Sequence, residues 1–296
     1  MKKYIPVALI YDFDGTLAPG NMQERDFIPA IGMKTQKFWN EVASETKKHE
    51  ADNILIYMKL MLDKALIEKV KIRRSDFSNY GKNLELFKGV ENYSEEGQQK
   101  LGWFKRINRY GKLTGLDVQH YIISSGIKEM ITGTLIAKEF KSIYASSFCY
   151  DHYGAPRWPA LAINYTTKTQ FLFRINKGCL DISDNKEINK YVLESKRKIP
   201  FKRMVYIGDG DTDIPCFRLV KDRGGKSIAV FKPNTKGAKE KSQKLITDGR
   251  VNFIAPGDYR EGRLIDRIIK AWIDNISFSE NLDNICQQPQ SSFPQD

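Results

Sequence analysis

Cysteine and histidine are scarce in this sequence, and neither is arranged for chemistry. The four cysteines (Cys149, Cys179, Cys216, Cys286) form no C-x-x-C pair, and the three histidines (His49, His120, His152) share no ligand spacing. That scatter argues against a disulfide framework and a structural zinc site. Long apolar runs are missing too. No segment approaches the roughly 20 apolar residues that a spanning helix needs, so no membrane partner is expected. The opening Met-Lys-Lys and the apolar residues behind it imitate the start of a signal peptide. Pro6 interrupts that run, Asp12 ends it, and no small-residue cleavage site follows. The run reads as a buried strand, and the cytoplasm is the expected location. There is no internal repeat.

Acidic residues are in deficit. Lysine and arginine number 48 against 36 aspartates and glutamates, a formal charge of +12. A field of this sign favours anionic substrates, nucleic acid or a membrane surface. The basic residues are spread along the chain, with short clusters at 69–74 and 196–203, and no nucleic-acid-binding motif accompanies them. They read as a solvated surface rather than a nucleic-acid face. With 41% hydrophobic and 28% charged residues, the 296-residue chain can bury one good core plus an accessory lobe.

Short apolar runs at 7–11, 119–123, 204–207 and 227–230 have the pattern of strands buried on both faces, each followed by turn residues and helical spacing. Strands alternating with helices predict an α/β fold with a parallel sheet, whose chemistry gathers beyond the carboxyl ends of the strands. Between the first two strands, residues 35–48 and 52–69 carry apolar side chains at helical spacing, including Phe38, Trp39, Val42, Tyr57 and Met61. Residues 18–86 are expected as a helical insertion, and residues 1–17 and 87–277 as the α/β core. A helical run is expected after Gly89, a helix at 127–140, a hairpin or extended excursion at 142–164 with a turn at Tyr153-Gly154-Ala155-Pro156, and a disordered tail at 278–296.

Three strand ends carry candidate chemistry. The first runs into Asp12-Phe13-Asp14-Gly15-Thr16, two carboxylates at i and i+2 that offer a nucleophile and a separate proton donor. The second ends in Ser124-Ser125-Gly126, where a hydroxyl and exposed backbone N–H groups could hold a phosphate oxygen. The third ends in Gly208-Asp209-Gly210-Asp211-Thr212-Asp213, a crowding of like charges that is costly without a cation. Together with Asp12 these carboxylates suit the oxygen-rich shell of magnesium. A calcium loop is the rival reading, but its downstream glutamate is missing.

In this order the three sites resemble the haloacid dehalogenase superfamily, whose phosphatases carry D-x-D-G-T, a serine or threonine after the second strand, a lysine, and G-D-x-x-x-D. The resemblance covers residues 4 to about 271. It implies a Rossmann-like parallel sheet with the insertion as a type 1 helical cap, and phosphate-ester hydrolysis through an aspartyl-phosphate with Mg2+. Asp12 would be nucleophile and metal ligand. Asp14 would be general acid and then base, with its carbonyl on the metal. Ser124 would donate to the phosphoryl group. Asp209 would bind the metal, with Asp213 as ligand or just behind it. The lysine would be Lys168, ahead of Lys177, because 169–175 reads as the helix that should follow it. A mutase, or a non-catalytic nucleic-acid-binding member, is the alternative.

The layout looks most like the phosphoserine-phosphatase branch, with one departure. The glutamate that branch places soon after D-x-D is absent from residues 18–23, and the first acid there is Glu24. The expected substrate is a small phosphorylated metabolite, with phosphoserine itself in doubt.

Overall fold

The computed structural model describes residues 4–286. Strand β1 (Ile5–Tyr11) is followed by helices α1 (Phe27–Ala30), α2 (Thr35–Lys48), α3 (Asn53–Ile67) and α4 (Arg74–Lys82), then by a short hairpin, β2 (Tyr93–Glu95) and β3 (Gln98–Lys100). The chain continues through α5 (Trp103–Leu113), β4 (Leu116–Ile127), α6 (Lys128–Gly133), β5 (Phe140–Tyr150), β6 (Pro156–Leu161) and α7 (Lys168–Lys177). It closes with α8 (Asn185–Asn189), β7 (Met204–Gly208), α9 (Ile214–Asp222), β8 (Lys226–Phe231), α10 (Ala238–Thr247), β9 (Phe253–Pro256) and α11 (Leu264–Cys286).

Seven strands form one sheet in the order β6-β5-β4-β1-β7-β8-β9, parallel throughout except for the β5–β6 pair. The sequence of β1 explains its central place. Alternate residues point to opposite faces, so Val7, Leu9 and Tyr11 enter one apolar cluster while Ala8 and Ile10 enter the other. Both sets are fully buried, which only a strand covered by helices on each side can satisfy. From β1 the chain builds outward through β4 to β6, then returns to lay β7 on the other side of β1. The carboxyl end of β1 therefore faces the crevice where such sheets bind ligands.

Residues 127–140 do not form one helix. Six residues are helical in α6, and after an extended Thr134 a single 3-10 turn follows at Ala137–Glu139. Glycine at the end of α6 has a packing reason: a Cβ on Gly133 would come within 2.0 Å of the Ser78 carbonyl oxygen, and one on Gly81 within 1.9 Å of that of Met130. Helices α4 and α6 thus touch through two bare backbones. The run after Gly89 opens with the β2–β3 hairpin and becomes helical only at α5. The β5–β6 hairpin turns at 151–155, close to the expected turn. Of the expected tail, residues 278–286 are helical as the end of α11, whereas 287–296 lie outside the described residues. Among the described residues no helix is long and apolar enough to cross a membrane.

Candidate active site

Asp12 follows the last residue of β1 and is buried, its backbone N–H donating to Ile207 O of β7 at 2.9 Å. One carboxylate oxygen accepts from the Phe13 N–H at 2.6 Å and the other from Lys168 Nζ at 2.7 Å. The chain then turns away at Gly15, in the left-handed region at φ +71°, where a Cβ would come within 2.1 Å of the Asp209 carboxylate. Glycine here serves both the turn and the approach of that acid. Asp14 lies within this turn, half-buried, its Oδ1 accepting from the Met22 N–H at 3.0 Å.

Lys168, the first residue of α7, is fully buried, and it is the lysine the fold brings to the site. Its ammonium bridges Asp12 Oδ2 and Asp213 Oδ1, both at 2.7 Å, and lies 3.4 Å from Thr212 Oγ1. Lys177 lies at the far end of α7, donating to the backbone carbonyls of Ile188 and Lys190 at 2.5 and 2.7 Å. Asp213 is fully buried and fully engaged: Oδ1 accepts from Lys168 and from Tyr206 OH, and Oδ2 faces the N–H groups of Asp209 and Gly210.

Ser124 is buried in the last part of β4, its Oγ accepting from the Gly126 N–H at 3.1 Å. Strand β4 persists to Ile127, but its register against β5 slips between Ser124 and Ile127, which opens the segment. Gly126 lets Met22 and Asp14 approach closely, since a Cβ there would lie 2.2 Å from Met22 Cε and 3.1 Å from Asp14 Oδ2 and the methionine end would have to move. The buried Ser125 hydroxyl has no hydrogen-bond partner among the described residues.

Above these strand ends α2 and α3 overhang an open-sided cleft of about 680 Å³. Its floor is Asp12, Asp14, 124–126 and 209–212. Its roof includes Trp39, Val42, Ile54 and Tyr57, with Lys47 and Lys241 also lining it. Tyr57 OH donates to the Ser125 carbonyl at 2.6 Å, tying the roof to the floor. Glu24 points elsewhere, its Oε1 accepting from Trp39 Nε1 and Asn21 Nδ2, both at 2.7 Å. Tyr57, Tyr206 and Thr212 were not anticipated as site residues. Each arrives through a tertiary contact, and a lone tyrosine or threonine carries no local spacing signal.

The floor is short of positive charge: among the described residues Lys168 is the buried cation there, paired with Asp12 and Asp213, and Lys241 is paired with Asp211. Burial pushes the Asp12 carboxyl up, Lys168 pulls it back, Asp213 raises it again, and the result lies above the ordinary range. Burial and then Asp12 hold Asp14 well above its ordinary value. Asp209 is exposed at the mouth of the site, yet partial loss of water and the charges of Asp213 and Asp12 hold its carboxyl above the ordinary range. Burial opposes the charge on Lys168, but Asp12 and Asp213 more than offset it, so the amine remains an ammonium. One oxygen each from Asp12, Asp209 and Asp213 lies within 4.8 Å of the others. An all-oxygen set with unmet negative charge fits a hard divalent cation.

A family model described as haloacid dehalogenase-like hydrolase matches residues 9–218. An uncharacterized protein of Borreliella burgdorferi is 30% identical over 283 residues, covering 86% of this chain and 92% of that protein. Among solved structures, a phospho-aspartyl intermediate analogue of phosphoserine phosphatase superposes with a TM-score of 0.51 at 14% identity, covering 90% of this chain and 99% of that one. A haloacid dehalogenase family hydrolase from Salmonella enterica serovar Typhi gives 0.50 at 16% identity, covering 80% of this chain. The chain spans 66% of that hydrolase, just under two thirds of its length. At these identities the two structures speak for the fold.

Proposed function

The chain belongs to the haloacid dehalogenase-like hydrolases, and from that premise we propose that it is a magnesium-dependent phosphomonoesterase that transfers the phosphoryl group through Asp12. The observation that carries this reading is the setting of Asp12. A buried carboxylate is clamped by a buried ammonium at 2.7 Å, at the open end of the central strand, with a second carboxylate two residues away. A clamp of this kind fixes the direction of attack and supplies charge to the phosphoryl oxygens.

Magnesium would be held by the Asp12 and Asp209 carboxylates and the Asp14 carbonyl, and when bound it supplies positive charge to the phosphoryl oxygens. The Ser124 hydroxyl and the Ser125 N–H hold those oxygens, while the Gly126 N–H, already donating to Ser124 Oγ, fixes that hydroxyl in place. The Asp12 carboxylate attacks phosphorus and forms an O–P bond while the ester O–P bond breaks. Asp14, kept protonated by burial and by the Asp12 charge, gives its proton to the departing oxygen. As a carboxylate it then takes a proton from water, which attacks the same phosphorus, breaks the Asp12 O–P bond and releases phosphate. Asp213, whose oxygens are already engaged, fixes Lys168 in place.

The substrate is a small phosphorylated metabolite, because the roof leaves a cleft of about 680 Å³. Phosphoserine is disfavoured, since Glu24 is engaged by Trp39 and Asn21 and does not line the cleft to receive an ammonium. Hydrolysis of p-nitrophenyl phosphate tests the reading. Activity should need magnesium, cease on chelation and be absent from Asp12→Asn. Steady turnover by pure Asp12→Asn would refute it.

A further inference from the structure

The catalytic lysine is held at its charged end by carboxylates. Its backbone is held by a turn that reaches outside α7. Asn164 organises the start of that helix. Its side-chain oxygen accepts from the N–H groups of Thr166 and Thr167 at 3.1 and 2.9 Å, and its carbonyl accepts from the Lys168 N–H at 3.0 Å. Its own N–H donates to Thr167 Oγ1 at 2.9 Å. The turn that aims Lys168 at Asp12 is therefore built around one asparagine.

The amide nitrogen of that asparagine has a distant partner. Asn164 Nδ2 donates to Asp52 Oδ2 at 2.6 Å, across 112 residues of sequence. Asp52 is itself the N-cap of α3, its other oxygen accepting from the N–H groups of Ile54 and Leu55 at 2.9 and 3.0 Å. The cap of one helix and the turn that leads into the other thus share one hydrogen bond, joining a helix that roofs the cleft to the helix that carries the lysine. Each residue satisfies its own cap or turn with one side-chain atom and spends the other on its counterpart.

We infer that the Asp52–Asn164 pair is a positioning device that couples the seating of α3 over the cleft to the placement of the Lys168 ammonium. Neither residue touches substrate; both act through the start of α7. With α3 seated, Asn164 is pulled into register and the ammonium stands between Asp12 and Asp213. With the bond absent, the first turn of α7 loses its external anchor. The inference rests on the role proposed for Lys168.

The pair permits an isosteric test. In Asp52→Asn the cap oxygen remains, but an amide nitrogen faces Asn164 Nδ2, two donors opposed. In Asn164→Asp the turn oxygen also remains, and two carboxylate oxygens oppose. In the double variant the donor and acceptor are exchanged and the bond is restored. Asparagine and aspartate hold such turns and caps equally well, so all three proteins should fold, the single variants with a urea midpoint lowered only by the lost hydrogen bond and the double variant with that of wild type. Each single variant should lower kcat by about tenfold with little change in KM, as misplacement of a charge-stabilising group does. The double variant should return to within about threefold of wild type, and in a Lys168→Ala background Asp52→Asn should cost less than about twofold, as expected of residues acting through one group.

Single variants with wild-type kcat, a double variant no better than the poorer single, or full additivity with Lys168→Ala would each overturn the inference. If Lys168→Ala still loses activity, those results leave the proposed function standing. A wild-type protein that hydrolyses no phosphomonoester removes both.

Discussion

At the scale of single residues, the two lysines make the sharpest contrast. Lys168→Ala should lower kcat by about a hundredfold or more, the cost of losing a charge-stabilising group in a shielded site. Lys177→Ala should leave kcat unchanged, because its ammonium serves two backbone carbonyls at the far end of the helix; equal losses in the two variants would contradict the assignment. His120 offers a test independent of activity. It is buried between Tyr11 OH at Nδ1 and Asn108 Oδ1 at Nε2, both at 3.0 Å, and burial lowers its pKa to about 3. An unfolded histidine titrates near 6.5, so below that pH the unfolded chain takes up a proton that the folded one refuses. His120 therefore costs stability as pH falls, by about 1.4 kcal/mol per unit between about pH 6.5 and 3. His120→Gln should be less stable at neutral pH yet lose stability less steeply on acidification. Urea titrations with parallel pH dependence would show that His120 is not held neutral. The residues that could be read from sequence are those whose spacing carries the signal: Asp12 with Asp14, and Asp209 with Asp213. Lys168 needed the help of the following helical pattern. Asn164, Tyr57 and Tyr206 reach the site through contacts that no local pattern records.

At the scale of elements, the buried parallel strands were legible because full burial on both faces leaves a continuous apolar run, and β1, β4, β7 and β8 all contain the expected segments. The expected helix at 127–140 stops at Gly133, a poor helix former whose place is set by packing. Gly133 and Gly81 bring the backbones of α6 and α4 into contact, and that contact belongs to a tertiary crossing. Gly133→Ala should therefore destabilise the protein by about 2–3 kcal/mol, the upper end for overpacking, since the obstructing atoms are backbone. Urea unfolding measures this directly, and an unchanged midpoint would mean that the crossing is looser than these distances state. The β2–β3 hairpin escaped the sequence reading because three-residue strands leave no run long enough for a period.

For the whole molecule, the +12 charge and the roofed cleft point the same way. A small dianion is drawn in by the long-range field and then held mostly by local groups, so its KM should depend only weakly on salt. Binding to nucleic acid that fell about a thousandfold from low to physiological salt, with hydrolysis of its terminal phosphate, would instead mark the basic surface as the binding site. The central claim is that phosphate passes through a covalent bond to Asp12. Its most direct measurement is acid quenching of the Asp14→Asn variant during turnover of an ester with a good leaving group, followed by peptide mapping. This variant still permits attack but lacks the base that activates water, so the phosphoryl group should be found on the peptide containing Asp12, in amounts approaching one per protein. Turnover by the variant with no phosphoryl group on Asp12, or with one on another residue, would contradict the account.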